Sequence, residues 1–382
     1  MNKEILLSIV VPTKNRIEYM KNFIQLYSSF DQDRTELVIQ DNSDNESGMQ
    51  EYINQFGNMN IVYNYIKDSM PVIENSELAI LNSHGKYVCF MGDDDLLSKY
   101  IINIVEKMEN ENIDSVIFKK AIFNWPGMEY KVHHFPNLII PKFSGKLVHV
   151  DPKREYQKLL KHGGVELGKL PQLYHGIVKR SVLDDVRNIT GTFFPGPSPD
   201  MAVATALACF VNNQIYIDAP FISSGKSPKS AAGLGAKHQH KGELKSMTFL
   251  PDDIEKKWDS RLPFIWTGPT IYAESVIEAI RSMGRDADLD KFNFTFFYAY
   301  FDTFCREYKK QTVTSKKNVE LNYIQYIMAR ILVFFIRLKI FVKNKTRLLT
   351  HWGGNFVENI PNCIEAENII DEEIKRIMKF NL

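Results

Sequence analysis

Residues 86–97 read KYVCFMGDDDLL: an unbroken apolar run over 87–91, a glycine, and three consecutive carboxylates. An apolar run without polar alternation is the pattern of a strand buried on both faces of a mainly parallel sheet. Gly92 permits a turn, which sets Asp93, Asp94 and Asp95 at the strand's carboxyl end. Open α/β sheets bind ligands at that edge. Adjacent carboxylates repel one another, and burying one unpaired is costly, so a divalent cation would relieve the cluster. Hard oxygen donors favour Mg²⁺ or Mn²⁺. A solvated acidic turn, with Asp95 capping the next helix, accounts for the triplet alone about as well.

The surrounding chain repeats the pattern. Residues 5–11 form an apolar run that stops at Pro12, and TKNR follows. Met20, Phe23, Ile24 and Tyr27 then fall at helical spacing, with Asn15 and Glu18 placed as a capping box. A second run, 36–40, ends in Asp41, Asn42, Ser43 and Asp44, and a third covers 61–66. Helical patterns cover 72–83 and 97–110, and 115–118 makes a fifth strand. Alternating strands and helices imply right-handed crossovers and a parallel sheet. The polar loops at 13–16, 41–44 and 93–95 should then share one crevice, as a nucleotide site requires.

Residues 119–150 are irregular and contain His133 and His134. A helix over 152–162, a strand over 172–179 and a short helix over 181–186 precede FFPGPSPD, a rigid loop opening onto an apolar helix at 201–211. Asp200 falls in that helix's first turn, where a carboxylate also simply complements the helix dipole. Short strands at 214–217 and 220–223 lead into a Gly-, Ser- and Lys-rich loop, 223–240. From about 251 the pattern becomes helical, over 270–283, 292–310, 319–343 and 364–380. This divides the chain into a sheet domain, 1–245, and a mainly helical domain, 246–382. Residues 326–349 carry six basic residues (Arg330, Arg337, Lys339, Lys343, Lys345, Arg347) and no acid. Ile327, Ile331, Phe334 and Leu338 occupy a different face from Arg330 and Arg337. Such a helix suits peripheral contact with an anionic membrane, or a core position with snorkelling arginines.

At 382 residues the chain is long enough for two cores, and a net charge of +1 argues against a dedicated nucleic-acid partner. Cys89, Cys209, Cys305 and Cys363 are widely spaced and suit reduced core thiols in a cytosolic protein. The apolar N-terminus is interrupted by Pro12 and Lys14, which fits a first strand better than a secretion signal. No window reaches the roughly 20 uncharged apolar residues of a membrane span.

SIVVPTKNR, VIQDNSD, ENSELAILNSHGKYVCFMGDDDLL and PGPSPDMAVATALA, in this order, resemble the family 2 nucleotide-sugar glycosyltransferases, and most of all the bacterial members that build surface polysaccharides. The resemblance covers residues 5 to about 230. It implies a GT-A fold, an α/β Rossmann-like architecture with a mainly parallel central sheet flanked by helices, followed here by a C-terminal helical region. Pro12, Thr13, Asn15, Arg16, Asp41 and Ser43 would hold the nucleotide, with Asp41 accepting from the base. Asp93 to Asp95 match the DXD element. Gly92 stands where the family often has aspartate, which directs Asp93 toward ribose and leaves Asp94 or Asp95 for Mn²⁺ or Mg²⁺. Glu74 and Asn75 match a weaker feature near the sugar diphosphate. Asp200 matches the general base, although Pro199 replaces an acid usual just before it. Ser224, Lys226, Ser230 and His238 would lie in a loop closing over the diphosphate, with His238, and His240 beside it, as further metal-ligand candidates. His175 is a candidate for the acceptor side.

The expected reaction is therefore inverting transfer of a sugar from a nucleoside-diphosphate sugar, a UDP-sugar by preference. The acceptor would be a hydroxyl of a glycan or lipid-linked oligosaccharide. The chain would work in the cytoplasm, peripheral to the inner face of the cell membrane. A nucleotidyltransferase would usually show a Gly-rich loop after the first strand, and residues 12–16 contain no glycine. The same absence disfavours a dinucleotide oxidoreductase. A non-catalytic sugar-nucleotide-binding or interaction protein of the same fold is the other alternative.

Overall fold

The computed structural model describes residues 4–46, 48–57, 59–128, 136–230, 241–247, 254–349 and 354–378. Its first unit alternates β1 (Leu7–Thr13), α1 (Ile17–Tyr27), β2 (Thr35–Asp41), α2 (Met49–Asn54), β3 (Ile61–Tyr65), α3 (Val72–Leu81) and β4 (Tyr87–Phe90). It continues through β5 (Leu96–Leu97), α4 (Ile101–Asn110), β6 (Ser115–Phe118), β7 (Ile122–Asn124), β8 (Asn137–Ile140) and β9 (Leu147–Val150). Next come α5 (Pro152–Lys161), β10 (Gly176–Lys179), α6 (Arg180–Thr190), α7 (Pro199–Phe210), β11 (Gln214–Ile217) and β12 (Ile222–Lys226).

The main sheet has eight strands in the order β3-β2-β1-β4-β10-β6-β11-β9. Strands β3, β2, β1 and β4 run parallel, while β10 is antiparallel to both neighbours. Every residue of β2 and β4 is buried, which is why their apolar runs show no alternation. Helices cover both faces. Met20, Phe23 and Ile24 of α1 join Ile9, Val11, Leu37 and Ile39 in one core, and Val10, Val38 and Val88 meet Ala79 and Ile80 on the other side. Residues 119–150, irregular in pattern, contribute β7 and β8 to a second sheet, whose order runs from Asn355–Glu358 near the C-terminus through β8, β7 and β12 to β5.

The C-terminal part contains α8 (Ile254–Lys257), α9 (Gly268–Ser282), α10 (Phe294–Phe304), α11 (Thr312–Lys317), α12 (Tyr323–Leu349), β13 (Asn355–Glu358) and α13 (Cys363–Met378). Helices α9 and α10 build an aromatic core around Phe297, Tyr298 and Phe301. The chain then returns to the first unit. Strand β13 pairs antiparallel with β8, and Cys363, Ala366, Ile370 and Ile374 of α13 enter the core beneath α1. Residues 354–378 therefore pack with the sheet domain, whereas the sequence pattern groups them with the helices that precede them. Among the described residues no helix is long and apolar enough to cross a membrane.

Candidate active site

Strands β2, β1 and β4 lie side by side and point the same way, so the loops that follow them share one edge. Thr13 is in register with Asp41. The first loop turns through Asn15, at φ 58°, a left-handed conformation that asparagine tolerates. Asn15 N–H donates to Ser43 Oγ at 2.8 Å, and its amide exchanges hydrogen bonds with Asp44 at 2.8 and 3.1 Å. The capping box is therefore not formed: Arg16 occupies the N-cap of α1 without a side-chain bond, because Asn15 is committed to the neighbouring loop.

This turn delivers Arg16 to the acidic triplet. Its Nη2 lies 3.0 Å from Asp93 Oδ1 and 2.9 Å from Asp94 Oδ2, and donates to Ser227 Oγ at 2.7 Å. The ring of Tyr19 sits 4.9 Å from the guanidinium carbon. Burial works against the Arg16 charge, and the two aspartates outweigh it. Asp93 also accepts from Thr13 Oγ1 at 2.6 Å. Burial still lifts Asp93 to about 7, against the pull of Arg16. Asp94 is raised as well, by burial and by Asp95, although Arg16 and Ser227 oppose the shift.

Asp95 has different surroundings. Its Oδ2 meets His175 Nε2 at 2.6 Å and accepts from Tyr174 at 3.1 Å and from Gly92 N–H at 2.7 Å, while Oδ1 accepts from Gly225 N–H at 2.9 Å. Burial would raise this carboxyl, but the imidazole and the two amides hold it below the usual range. His175 is itself buried, at φ 60°, and stacked on Tyr174 with ring centroids 3.9 Å apart. Asp95 does not cap a helix, since α4 begins at Ile101.

The fit of a divalent cation can be judged from these bonds. Both oxygens of Asp95 are engaged by donors. Among the described residues Asp94 Oδ1 receives no hydrogen bond, and no group of three His, Cys, Asp or Glu side chains converges as a closed metal cage. One free carboxylate oxygen suits Mg²⁺ or Mn²⁺ of the kind completed by substrate phosphates and water. His238 and His240 lie outside the described residues.

Asp41 is buried, and accepts from Ser43 N–H at 2.9 Å and from Tyr63 OH at 3.1 Å. Asn75 turns inward, its amide 3.5 Å from the Gln40 carbonyl. Lys226 ends β12, and burial depresses its pKa. Asp200 occupies the first turn of α7, directly after Pro199 at N1. Burial raises its pKa, His175 and Lys120 oppose, and Asp95 adds to the rise. Asp200 is thus electrostatically within reach of the Asp95–His175 pair. A cleft of about 770 Å³ opens beside it, lined by Glu74, the 194–200 loop, Trp266 and Tyr272.

Sequence reasoning missed Ser227, Tyr174, Lys120 and Trp125, whose indole donates to the Asp94 carbonyl at 2.8 Å. One signal was available at Gly225, where a Cβ would stand 1.6 Å from that same carbonyl. Only glycine lets β12 approach the acidic turn so closely.

Residues 8–165 match the family model described as Glycosyl transferase family 2. No curated protein matches the chain. Among solved structures, residues 1–349 of TarS from S. aureus in complex with UDP-GlcNAc superpose with a TM-score of 0.50 at 14% identity, covering 97% of this chain and 92% of that one. Mannosyltransferase PcManGT from Pyrobaculum calidifontis, in complex with GDP-Man and Mn²⁺, gives 0.41 at 13% identity over 86% of each chain.

Proposed function

We propose that the chain, whose residues 8–165 match the Glycosyl transferase family 2 model, transfers a sugar, with inversion, from a nucleoside-diphosphate sugar to an acceptor hydroxyl. The preferred donor is a UDP-sugar, and the acceptor a glycan or lipid-linked oligosaccharide of surface polysaccharide biosynthesis. The reaction belongs in the cytoplasm, at the inner face of the cell membrane. The observation that supports this reading is the acidic turn at the carboxyl edge of the parallel strands, held by Arg16 at Asp93 and Asp94 and by His175 at Asp95, with Asp200 within electrostatic range of Asp95 and His175.

Each group then has a role. Asp41, oriented by Ser43 and Tyr63, accepts from the nucleobase. Thr13 and Asp93 face the ribose. Arg16 and Lys226 supply positive charge to the diphosphate. Asp94, through Oδ1, would hold Mn²⁺ or Mg²⁺. A bound cation of this kind stabilises charge growing on the departing diphosphate.

Asp200 takes the proton of the acceptor hydroxyl as the acceptor oxygen bonds to the anomeric carbon. The bond from that carbon to the diphosphate breaks, and its electron pair leaves with the diphosphate oxygen. Burial raises the basicity of Asp200 and so favours the proton transfer. Attack from the face opposite the leaving group inverts the centre and requires no enzyme nucleophile. Asp95 acts indirectly, fixing His175, Tyr174 and the 225–227 strand end.

The test is a thermal-shift and calorimetric screen of nucleoside diphosphates and sugar nucleotides with and without Mn²⁺, followed by turnover of the best donor. Turnover lost in Asp94→Ala and Asp200→Ala protein is the expected result. Equal turnover in both variants removes this mechanism, and specific binding without turnover in the unaltered protein makes the chain a non-catalytic sugar-nucleotide binder.

A further inference from the structure

Helix α12 packs one face against α10, and among the described residues nothing covers the opposite face. Val333 is fully buried in the C-terminal core, with Tyr326, Ala329 and Ile336 partly buried beside it. At about 3.6 residues per turn, Ile324, Ile331, Phe335, Leu338 and Val342 lie opposite Val333. All five are exposed, Ile324 at 71% and Phe335 at 58%. Exposed Ile327, Phe334 and Phe341 widen the stripe on one side, Met328 and Leu332 on the other. Single apolar residues are ordinary on a protein surface, but a continuous stripe along a helix marks an interaction surface.

The charges select what covers it. Helix α12 contains no acidic residue. Arg330 and Arg337 turn to the packed face instead, where Arg330 donates to Tyr326 OH at 3.3 Å and Arg337 to the Thr303 carbonyl at 3.2 Å. Lys339 and Lys343 border the stripe, both exposed. A second copy of the chain docked along this face would set like charges against each other. An anionic lipid surface meets both demands: its acyl boundary accepts the aromatic and aliphatic stripe, and its headgroups pair with the flanking cations. The helix would lie in the surface, since among the described residues no helix is long and apolar enough to cross a membrane.

We propose that the face of α12 centred on Ile331, Phe335 and Leu338 docks the protein onto an anionic lipid bilayer, with Lys339 and Lys343 at headgroup level. This inference rests on the helix alone and stands apart from the transfer chemistry.

The test is flotation of the full chain with vesicles of phosphatidylcholine alone, or of phosphatidylcholine with phosphatidylglycerol. Binding should be roughly tenfold or more stronger to the anionic vesicles, and should weaken with salt. Phe335→Glu with Leu338→Glu, and separately Lys339→Glu with Lys343→Glu, should each abolish it. Neither pair touches the Val333 contact, so an unchanged melting temperature, together with unchanged nucleotide binding in solution, confirms an intact protein. Two outcomes overturn the proposal: vesicle binding indifferent to both double variants, or a solution dimer that the Phe335/Leu338 variant dissociates while the unaltered protein ignores vesicles.

Discussion

The acidic turn after β4 and helix α13 both bury carboxylates, and they treat them in opposite ways. Asp95 is surrounded by His175, Tyr174 and two backbone amides, and is held as an anion below its ordinary range. Glu367 is just as deeply buried, yet neither of its oxygens meets a partner among the described residues. Burial, reinforced by Asp371, pushes Glu367 well above the carboxylate range, which favours its neutral form. Burial is common to both and cannot distinguish a site from a packing compromise. Directed donors can. They mark where the fold has spent structure on keeping a charge in place.

If that distinction is sound, substitutions at the crevice should damage function or folding, while those in the C-terminal helices should be neutral or stabilising. The largest effect is expected for Asp200→Asn, which keeps shape and removes the base. Turnover of the sugar nucleotide should fall by about 10²–10⁴-fold with donor affinity nearly unchanged. Steady-state kinetics with calorimetry separates the two quantities. A loss confined to donor affinity would move Asp200 from the acceptor side to the donor side.

Arg16→Met should come next. It strips Asp93 and Asp94 of a guanidinium within 3.0 Å of each. Removing one partner from a buried ionic cluster typically costs about 3–5 kcal/mol. Chemical denaturation should show that loss, and added Mn²⁺ with nucleoside diphosphate should recover part of it if a cation can serve the same carboxylates. Glu367→Leu should act in the opposite direction, raising stability by about 1–3 kcal/mol, because an unpartnered polar group is replaced by an apolar one of similar size. A destabilised Glu367→Leu protein would show that this carboxyl has a partner after all, and would dissolve the contrast between the two regions.

The sequence shows one half of this contrast and hides the other. Buried strands β1, β2 and β4 are visible because their apolar runs end at Pro12, Asp41 and Gly92, and the parallel rule then forces their loops together. The partners of the acidic turn are far less visible. Ser227 is one serine in a Gly- and Ser-rich stretch, and becomes a partner of Asp94 only because β12 is drawn in at Gly225. Arg16 reaches the triplet because Asn15 adopts a left-handed turn, which sequence spacing does not report. Helix α13 has an ordinary amphipathic pattern, and nothing local says that it packs beneath α1, more than 300 residues earlier in the chain. Glu367 is buried by that long-range contact, so its condition could not be read from its neighbours in sequence.

Glu274 on α9 lies between the two extremes, and at acid pH its substitution should give the smallest effect. It has a donor, since both its oxygens accept from Asp259 N–H, at 3.2 and 3.0 Å, but burial still lifts it to about 8. The folded protein therefore retains a proton that the unfolded chain releases near its ordinary value of 4.5. Its contribution to stability is complete below about pH 4.5 and declines as the pH rises toward 8, where the native carboxyl must itself ionise. Glu274→Gln fixes the neutral form. Below about pH 4.5 the amide resembles the protonated acid, and the change should stay under about 1 kcal/mol. As the pH rises from about 4.5 the variant should become progressively the more stable protein, the gap levelling off near pH 8, and its melting temperature should fall less steeply over that range than that of the unaltered chain. Parallel slopes would mean that the Asp259 amide, together with nearby Arg281, holds Glu274 as an anion, which would move it to the crevice side of the comparison.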